Sequence, residues 1–111
     1  MVYKLMANTY INAKLDLTAT SVTTLYTCPA LTTGIVKSII VSEDTGSADT
    51  ITVTLTNGSS VYSLFKVKAI GANTTVELLT APLIVQAGEI LKVTAATANR
   101  LHVVASILEI T

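Results

Sequence analysis

The chain contains one cysteine, Cys28, and one histidine, His102. A thiolate beside a histidine is a nucleophile, so these two residues are the first candidates for covalent catalysis. They fall far apart in sequence on different predicted strands, and no third side chain is evident that would orient the histidine. We expect Cys28 to fill space in the core, as free cysteines often do, and His102 to lie on a sheet face or at an interface. A Cys-His pair stays open at this stage.

Metal binding is the next chemistry to consider. A zinc site needs three or four nitrogen or sulfur ligands, which one histidine and one cysteine cannot supply. Glu43, Asp44 and Asp49 cluster in one loop with two hydroxyl residues, and such an oxygen-rich loop could hold calcium. The spacing differs from the EF-hand pattern, however, and acidic loops between strands are ordinarily solvated turns. We therefore predict no metal site and no cofactor.

The remaining carboxylates and glycines do not indicate an enzyme. A two-carboxylate glycosidase site needs a sugar-binding cleft, normally built with aromatic residues, and this chain has no tryptophan. The glycines lie at predicted turns and never form a phosphate-binding pattern. No catalytic residue is predicted. The seven carboxylates are Asp16, Glu43, Asp44, Asp49, Glu77, Glu89 and Glu109.

Composition limits the partners. Only 13% of the 111 residues are charged and the formal net charge is zero, so nucleic acid is not an expected partner. No apolar run reaches the roughly 18 residues of a spanning helix, so a membrane is not expected either. Half of the residues are apolar and the mean hydropathy is +0.64, which is more than a domain of this size can bury. We expect part of that surface to face another protein.

The elements are organised around a central pair of predicted strands, 35–41 and 50–56, joined by the acidic loop 42–49. In the second strand, threonines alternate with Ile51, Val53 and Leu55, which is the period of a strand with one buried face. β-Branched residues at most positions argue against a helix. Other strands of the same kind precede and follow this pair.

Four further predictions concern the flanking segments. Asn57 and Gly58 form a tight-turn signal, and in the strand 61–70 that follows, Phe65, Val67 and Ala69 share one face while Lys66 and Lys68 take the other. Residues 1–14 form a first strand or an interface arm. Residues 101–110 are apolar on both faces, which predicts a central strand or one whose outer face meets a neighbour. Short strands separated by turn signals indicate an antiparallel sandwich or barrel, in a single domain spanning 1–111.

Four segments carry a family resemblance. LYTCPA at 25–30, GIVKSIIV at 34–41, TITV at 50–53 and APLIVQAGEILKV at 81–93 resemble the small structural proteins of tailed bacteriophage virions. The resemblance covers most of the chain after residue 20. It implies an all-β, antiparallel, jelly-roll-like β-sandwich of about eight short strands with no significant helix.

The resemblance also implies a function. It favours a capsid decoration (cement) protein, made in the host cytoplasm and carried on the virion as a homo-oligomer, preferably a trimer, that bridges subunits of the major capsid protein. A tail or head-tail adaptor protein with ring symmetry is the alternative, followed by a receptor- or glycan-binding module. Strand 101–110 and the first dozen residues are the candidate interface segments, because they offer the apolar surface that an obligate interface would cover.

Overall fold

A computed structural model describes residues 7–111, and within that range the protein consists of nine strands and no helix. The predicted all-β class is therefore confirmed. Of the predicted first strand or arm at 1–14, residues 1–6 lie outside the described residues and residues 8–14 belong to β1. The strands are β1 Asn8–Asp16, β2 Thr23–Thr27, β3 Thr33–Glu43, β4 Asp49–Asn57, β5 Ser60–Ile70, β6 Thr75–Glu77, β7 Leu83–Val85, β8 Ile90–Ala95 and β9 Leu101–Ile110.

The strands form two antiparallel sheets. Sheet A has the order β1-β9-β3, with the short strands β6 and β7 both paired to the far side of β3, and sheet B has the order β2-β8-β4-β5. The chain thus passes repeatedly from one sheet to the other, and the first and last strands lie side by side. Two interlocked Greek keys of this kind make a jelly roll, so the predicted jelly-roll-like sandwich is confirmed.

The two central strands of the sequence lie in different sheets. β3 pairs with β9 in sheet A, whereas β4 pairs with β8 and β5 in sheet B. Residues 44–48 therefore cross from one sheet to the other and do not close a hairpin. The predicted alternation still holds, because Ile51 and Val53 of β4 are fully buried and face the core with Val36 and Ile39 of β3.

The predicted alternation of the strand 61–70 is wrong. The β4–β5 register shifts twice, between Ile51 and Val53 and again at Val53 and Thr54, and each β-bulge changes the face to which the following residues point. Val67 has a φ of 52° and is 60% exposed, while Phe65 packs against the core. The left-handed conformation is unusual for a β-branched residue.

The predicted turn at Asn57 and Gly58 is confirmed. Asn57 pairs with Ser60, and these two residues enclose the two-residue loop of the β4–β5 hairpin. Gly58 has a φ of 60° at the first central position, where a type II′ turn requires glycine.

β9 is the central strand of sheet A, as its two apolar faces predict. β1 and β3 flank it along nearly its whole length. Its inward residues, which include Leu101, Val103 and Ile107, are buried in the core between the sheets. Burying a side chain of this size contributes about 1.5–3 kcal/mol, so this strand is a main source of stability. Its outward residues lie on the opposite face of the sheet.

Candidate functional site

The structure does not bring Cys28 and His102 together. Cys28 is buried directly after β2, where its thiol donates a 3.3 Å hydrogen bond to the carbonyl oxygen of Thr32. His102 is the second residue of β9 and lies on the outer side of sheet A, opposite Ser42 in the β3 register. The cysteine is at the end of the sandwich near residue 109 and the histidine is at the other end. The pair therefore cannot act as a nucleophile and its base.

His102 lies between two carboxylates instead. Its Nε2 is 3.3 Å from Asp16 Oδ1, and its Nδ1 is 3.9 Å from Asp44 Oδ1. Asp16 is the direct partner of His102 in the β1–β9 register, whereas Asp44 comes from the loop after β3. All three side chains are substantially exposed. The arrangement can tie the end of β1 to that loop when the histidine is protonated, and exposed ion pairs of this kind contribute little to stability.

Glu43 is the most constrained acidic residue, with only 2% of its surface exposed at the end of β3. The hydrogen bond from the Thr45 hydroxyl, together with the amide donors of Asn73, Thr45 and Gly46, outweighs desolvation and lowers the pKa of Glu43 to about 2. The backbone amide of Ser47 donates as well, at 3.2 Å. Glu43 therefore acts as an internal cap that organises loop 44–48 and the turn at residue 73.

The three carboxylates of the acidic loop diverge. Glu43 points into the chain's own donors, and Asp44 approaches His102. Asp49 is buried and accepts a hydrogen bond from the amide of Thr97 at 3.2 Å. Across residues 7–111, no three histidine, cysteine or acidic side chains lie close enough together to hold a metal ion.

Tyr26 and Glu109 connect the two sheets. The hydroxyl of Tyr26 in β2 donates a 2.6 Å hydrogen bond to Oε2 of Glu109 in β9. Burial and this hydrogen bond raise the pKa of Tyr26 above its usual range, so the hydroxyl keeps its proton. Gly34 lies opposite Glu109 in the β3–β9 register, and a Cβ at Gly34 would be only 2.9 Å from the Tyr26 hydroxyl oxygen. The cross-sheet bond therefore depends on that glycine.

Glu77 performs a similar role at the edge of sheet A. Its carboxylate accepts hydrogen bonds from the Ser38 hydroxyl, from the Ile39 amide at 2.8 Å and from the Leu79 amide at 3.2 Å. Desolvation acts to raise the pKa of Glu77, but these donors lower it overall below its ordinary value. Its two donors in β3, Ser38 and Ile39, directly follow the point where the β3–β9 register shifts, between Val36 and Ser38. It is an exposed anion held in one place.

The outer face of sheet A carries several exposed apolar side chains. Tyr10 is 73% exposed and Ile84 is 49% exposed, and Ile40 and Val104 are exposed as well. The strand registers place these residues in two rows that cross the whole sheet. The apolar row is Tyr10, Leu108, Ile35 and Ile84, and the mixed row is Lys14, Val104, Ile40 and Glu77. We call this surface the A face.

The outer face of sheet B has a different character. Thr50, Thr52 and Thr54 of β4 point away from the core and alternate with its buried residues. Lys92 and Thr94 of β8 lie beside them in the register. The edge strand β5 of the same sheet also exposes Val61, Tyr62 and Val67, so exposed apolar residues are not confined to sheet A. The A face differs because its apolar residues form a row across four paired strands, and we take it as the candidate functional surface for that reason.

No protein-family model matches the chain, and no curated protein matches it either. Between residues 7 and 111, no helix is long and apolar enough to cross a membrane. The fold and the A face therefore carry the functional argument. Sequence reasoning identified β9 as two-faced but missed the two rows, because cross-strand neighbours follow from the register and not from residue spacing.

Proposed function

We infer that this chain is a non-enzymatic structural subunit of a tailed-bacteriophage virion, and specifically a capsid decoration protein. In this role the protein would bind the assembled shell as a homo-oligomer and stabilise contacts between major capsid subunits. The observation that carries the proposal is the apolar row of the A face, in which Tyr10 and Ile84 stay exposed among the described residues 7–111. Such surfaces mark protein-protein contacts.

The use of the polar side chains supports a structural role. Glu43 caps a loop, Glu77 holds an irregular part of β3, and Glu109 joins the two sheets through Tyr26. Glu89 accepts a hydrogen bond from the amide of Gln86 at 2.7 Å, within the turn before β8. Each of these carboxylates already has donors from the chain itself. These carboxylates therefore stabilise the fold.

The fold and the sequence resemblance support the virion assignment. Jelly rolls are common in viral capsid domains. The segment at 25–30 corresponds to most of β2 and the turn after it, and the segment at 81–93 contains β7 and much of β8. The resemblance therefore covers strands and turns of the jelly roll, which is the part of the chain that a structural subunit would retain.

Incorporation into particles tests the proposal. We expect the chain in purified phage particles at a copy number comparable to that of the major capsid protein, measured by quantitative mass spectrometry. Ile84→Lys should reduce incorporation strongly because it puts a charge into the apolar row. Thr94→Lys, on the outer face of sheet B, is the matched control and should incorporate normally.

The alternatives give different results in the same experiment. A few copies per particle would indicate a tail or adaptor protein, and absence from particles would reject the virion assignment. Equal incorporation of Ile84→Lys and the wild type would show that the A face is not the assembly surface.

A further inference from the structure

We propose that the A face binds a second copy of the same chain, in a homodimer whose two-fold axis lies in the interface and runs parallel to the strands. The inference rests on the proposed function only in taking the A face as the assembly surface. It names the partner and the symmetry, and the symmetry differs from the trimer that the sequence resemblance implies.

The two-fold axis makes a specific set of contacts. A rotation about an axis parallel to the strands leaves each row at the same position along the strands. It reverses the order in which the strands follow one another across the sheet. β1 then faces the β6 and β7 edge of the second copy, and β9 faces β3. In the apolar row, Tyr10 meets Ile84 of the second copy. In the mixed row, Lys14 meets Glu77 of the second copy, and the contact occurs twice by symmetry.

The charges favour this axis over the alternative. Glu77 is held by three donors and its pKa lies below the ordinary value, so it offers a fixed anion to the incoming Lys14. A two-fold axis that lies in the interface but runs perpendicular to the strands would set the apolar row of one copy against the mixed row of the other. It would place Lys14 on Tyr10 and leave the Glu77 carboxylate against Ile84, without a counter-charge. The perpendicular axis would also set β3 against β3 of the second copy and bring together the two copies of Lys37, whose Nζ is 5.9 Å from the Tyr10 ring centroid, whereas the parallel axis sets β3 against β9. Like charges and unpaired charges at an interface are costly, so the parallel axis is preferred.

The exposed apolar side chains also meet one another under this rotation. Ile40 of the second copy lies over Val104, and both side chains are exposed in the single chain. Tyr10 and Ile84, which are exposed as well, meet in the same way at the other row. The rotation therefore covers apolar surface of each copy with apolar surface of the other.

The area is sufficient for a reversible dimer. Four strands spaced about 4.8 Å apart, each up to about 34 Å long, give a face of roughly 600 Å². Two such faces bury roughly 1,200 Å², which is at the lower limit of specific interfaces. Aligned sheets pack within about 30° of each other, which keeps opposite rows in contact. We therefore expect a concentration-dependent dimer.

Sedimentation velocity of the full chain tests the inference. We expect twice the mass of one chain at high concentration. Lys14→Glu places two carboxylates against each other at both ends of the mixed row, and should raise the dissociation constant about tenfold or more. Lys66→Glu makes the same charge change on exposed β5, away from the A face, and should have no effect.

Mixing variants tests the geometry. Glu77→Lys alone should also be monomeric, because it places two lysines together. An equimolar mixture of Lys14→Glu and Glu77→Lys should form a heterodimer, since every 14–77 contact then joins opposite charges. Circular dichroism checks that each variant is folded. Failure of the mixture to associate when both variants are folded would overturn the proposed register.

Crosslinking supplies a readout that does not depend on Glu77. Tyr10 and Ile84 lie at opposite edges of one sheet, so cysteines at both positions cannot join within a chain. Tyr10→Cys/Ile84→Cys should give a covalent dimer on oxidation, and neither single variant should.

Several results would overturn the proposal. These are a monomer at about 100 μM, which is near the upper limit for a weak dimer, a trimer mass, or an equal change of the dissociation constant in Lys14→Glu and Lys66→Glu. A dimer that is absent from particles would reject the virion role alone, whereas an incorporated protein that is monomeric in solution would reject the dimer alone.

Discussion

The hydroxyl of Tyr26 donates a 2.6 Å hydrogen bond to Oε2 of Glu109, and the bond joins the edge strand of sheet B to the central strand of sheet A. Both sheets are otherwise held together by apolar packing across the core. A charge-assisted hydrogen bond at this point is stronger than a neutral one and fixes the relative position of the two strands. The same bond supplies a hydrogen-bond donor to the Glu109 carboxylate at the end of the sandwich.

Removing the Tyr26 hydroxyl should destabilise the fold. Tyr26→Phe leaves the Glu109 carboxylate without this donor, and we expect the free energy of unfolding to fall by about 1.5–3 kcal/mol. Urea unfolding measures the change. Tyr62→Phe is the matched control because Tyr62 is exposed on β5, and it should change stability by less than about 0.5 kcal/mol. Equal stability of the two variants would contradict a structural role for the bond.

Gly34 should not tolerate a side chain. In Gly34→Ala the new Cβ would lie 2.9 Å from the Tyr26 hydroxyl oxygen and 3.1 Å from its ring, so the ring must move. We expect a loss of about 1–3 kcal/mol, as for other overpacked sites. Gly71→Ala is the control, since its Cβ would meet only Thr74 at an ordinary 3.4 Å. If Gly34→Ala proved as stable as the control, the Tyr26 ring would not be fixed in this position.

The free energy of unfolding should fall in acid because of Glu43. Its pKa in the folded chain is about 2, below the ordinary value of 4.5. Its carboxylate therefore contributes stability that is fully present above about pH 4.5 and is lost as the pH falls towards 2. Glu43→Gln removes this contribution at all pH values.

Urea unfolding of both proteins between pH 7 and pH 2 measures the effect. The stability difference between the wild type and Glu43→Gln should be largest near neutral pH and should shrink below about pH 4.5. Asp44→Asn, in the same loop but exposed, should show no comparable change. A difference between wild type and Glu43→Gln that is independent of pH would argue against the internal cap.

Val67 should be replaceable with a gain in stability. It adopts a φ of 52°, which is strained for a β-branched residue, and its exposed side chain buries little surface. Asparagine tolerates this conformation, so we expect Val67→Asn to stabilise the protein by about 1 kcal/mol. Val61→Asn, at an exposed position of the same strand without a positive φ, should give no gain. A loss of thermal stability in Val67→Asn would contradict the strain.

Local patterns predicted the strands well where one face is buried. The threonine alternation of β4 identified both its type and its buried face, and the two apolar faces of 101–110 identified a central strand. β5 shows where such patterns fail. Its bulges arise from pairing with β4, and they interrupt the predicted alternation of inward and outward side chains through Val67. The sheet-to-sheet crossing after β3 was equally hidden, since a short acidic loop suits a hairpin and a crossing alike.

The candidate site was only partly predictable for the same reason. Surplus apolar composition predicted a partner surface, but the two rows of the A face depend on the registers of five strands. The donors around Glu43 come from residues 45–47 and from residue 73, which are close only in the folded chain. Asp16 meets His102 because β1 pairs with β9, and no spacing in the sequence indicates that pairing.

The central claim is that the A face is the surface by which this chain assembles. Cryo-electron microscopy of purified phage particles tests it most directly, because the map shows where the chain lies and which face it buries. We predict many copies on the capsid shell with Tyr10, Ile84 and Val104 covered by protein and the threonine-rich face of sheet B turned to solvent. Particles without the chain, or copies whose A face is exposed, would contradict the account.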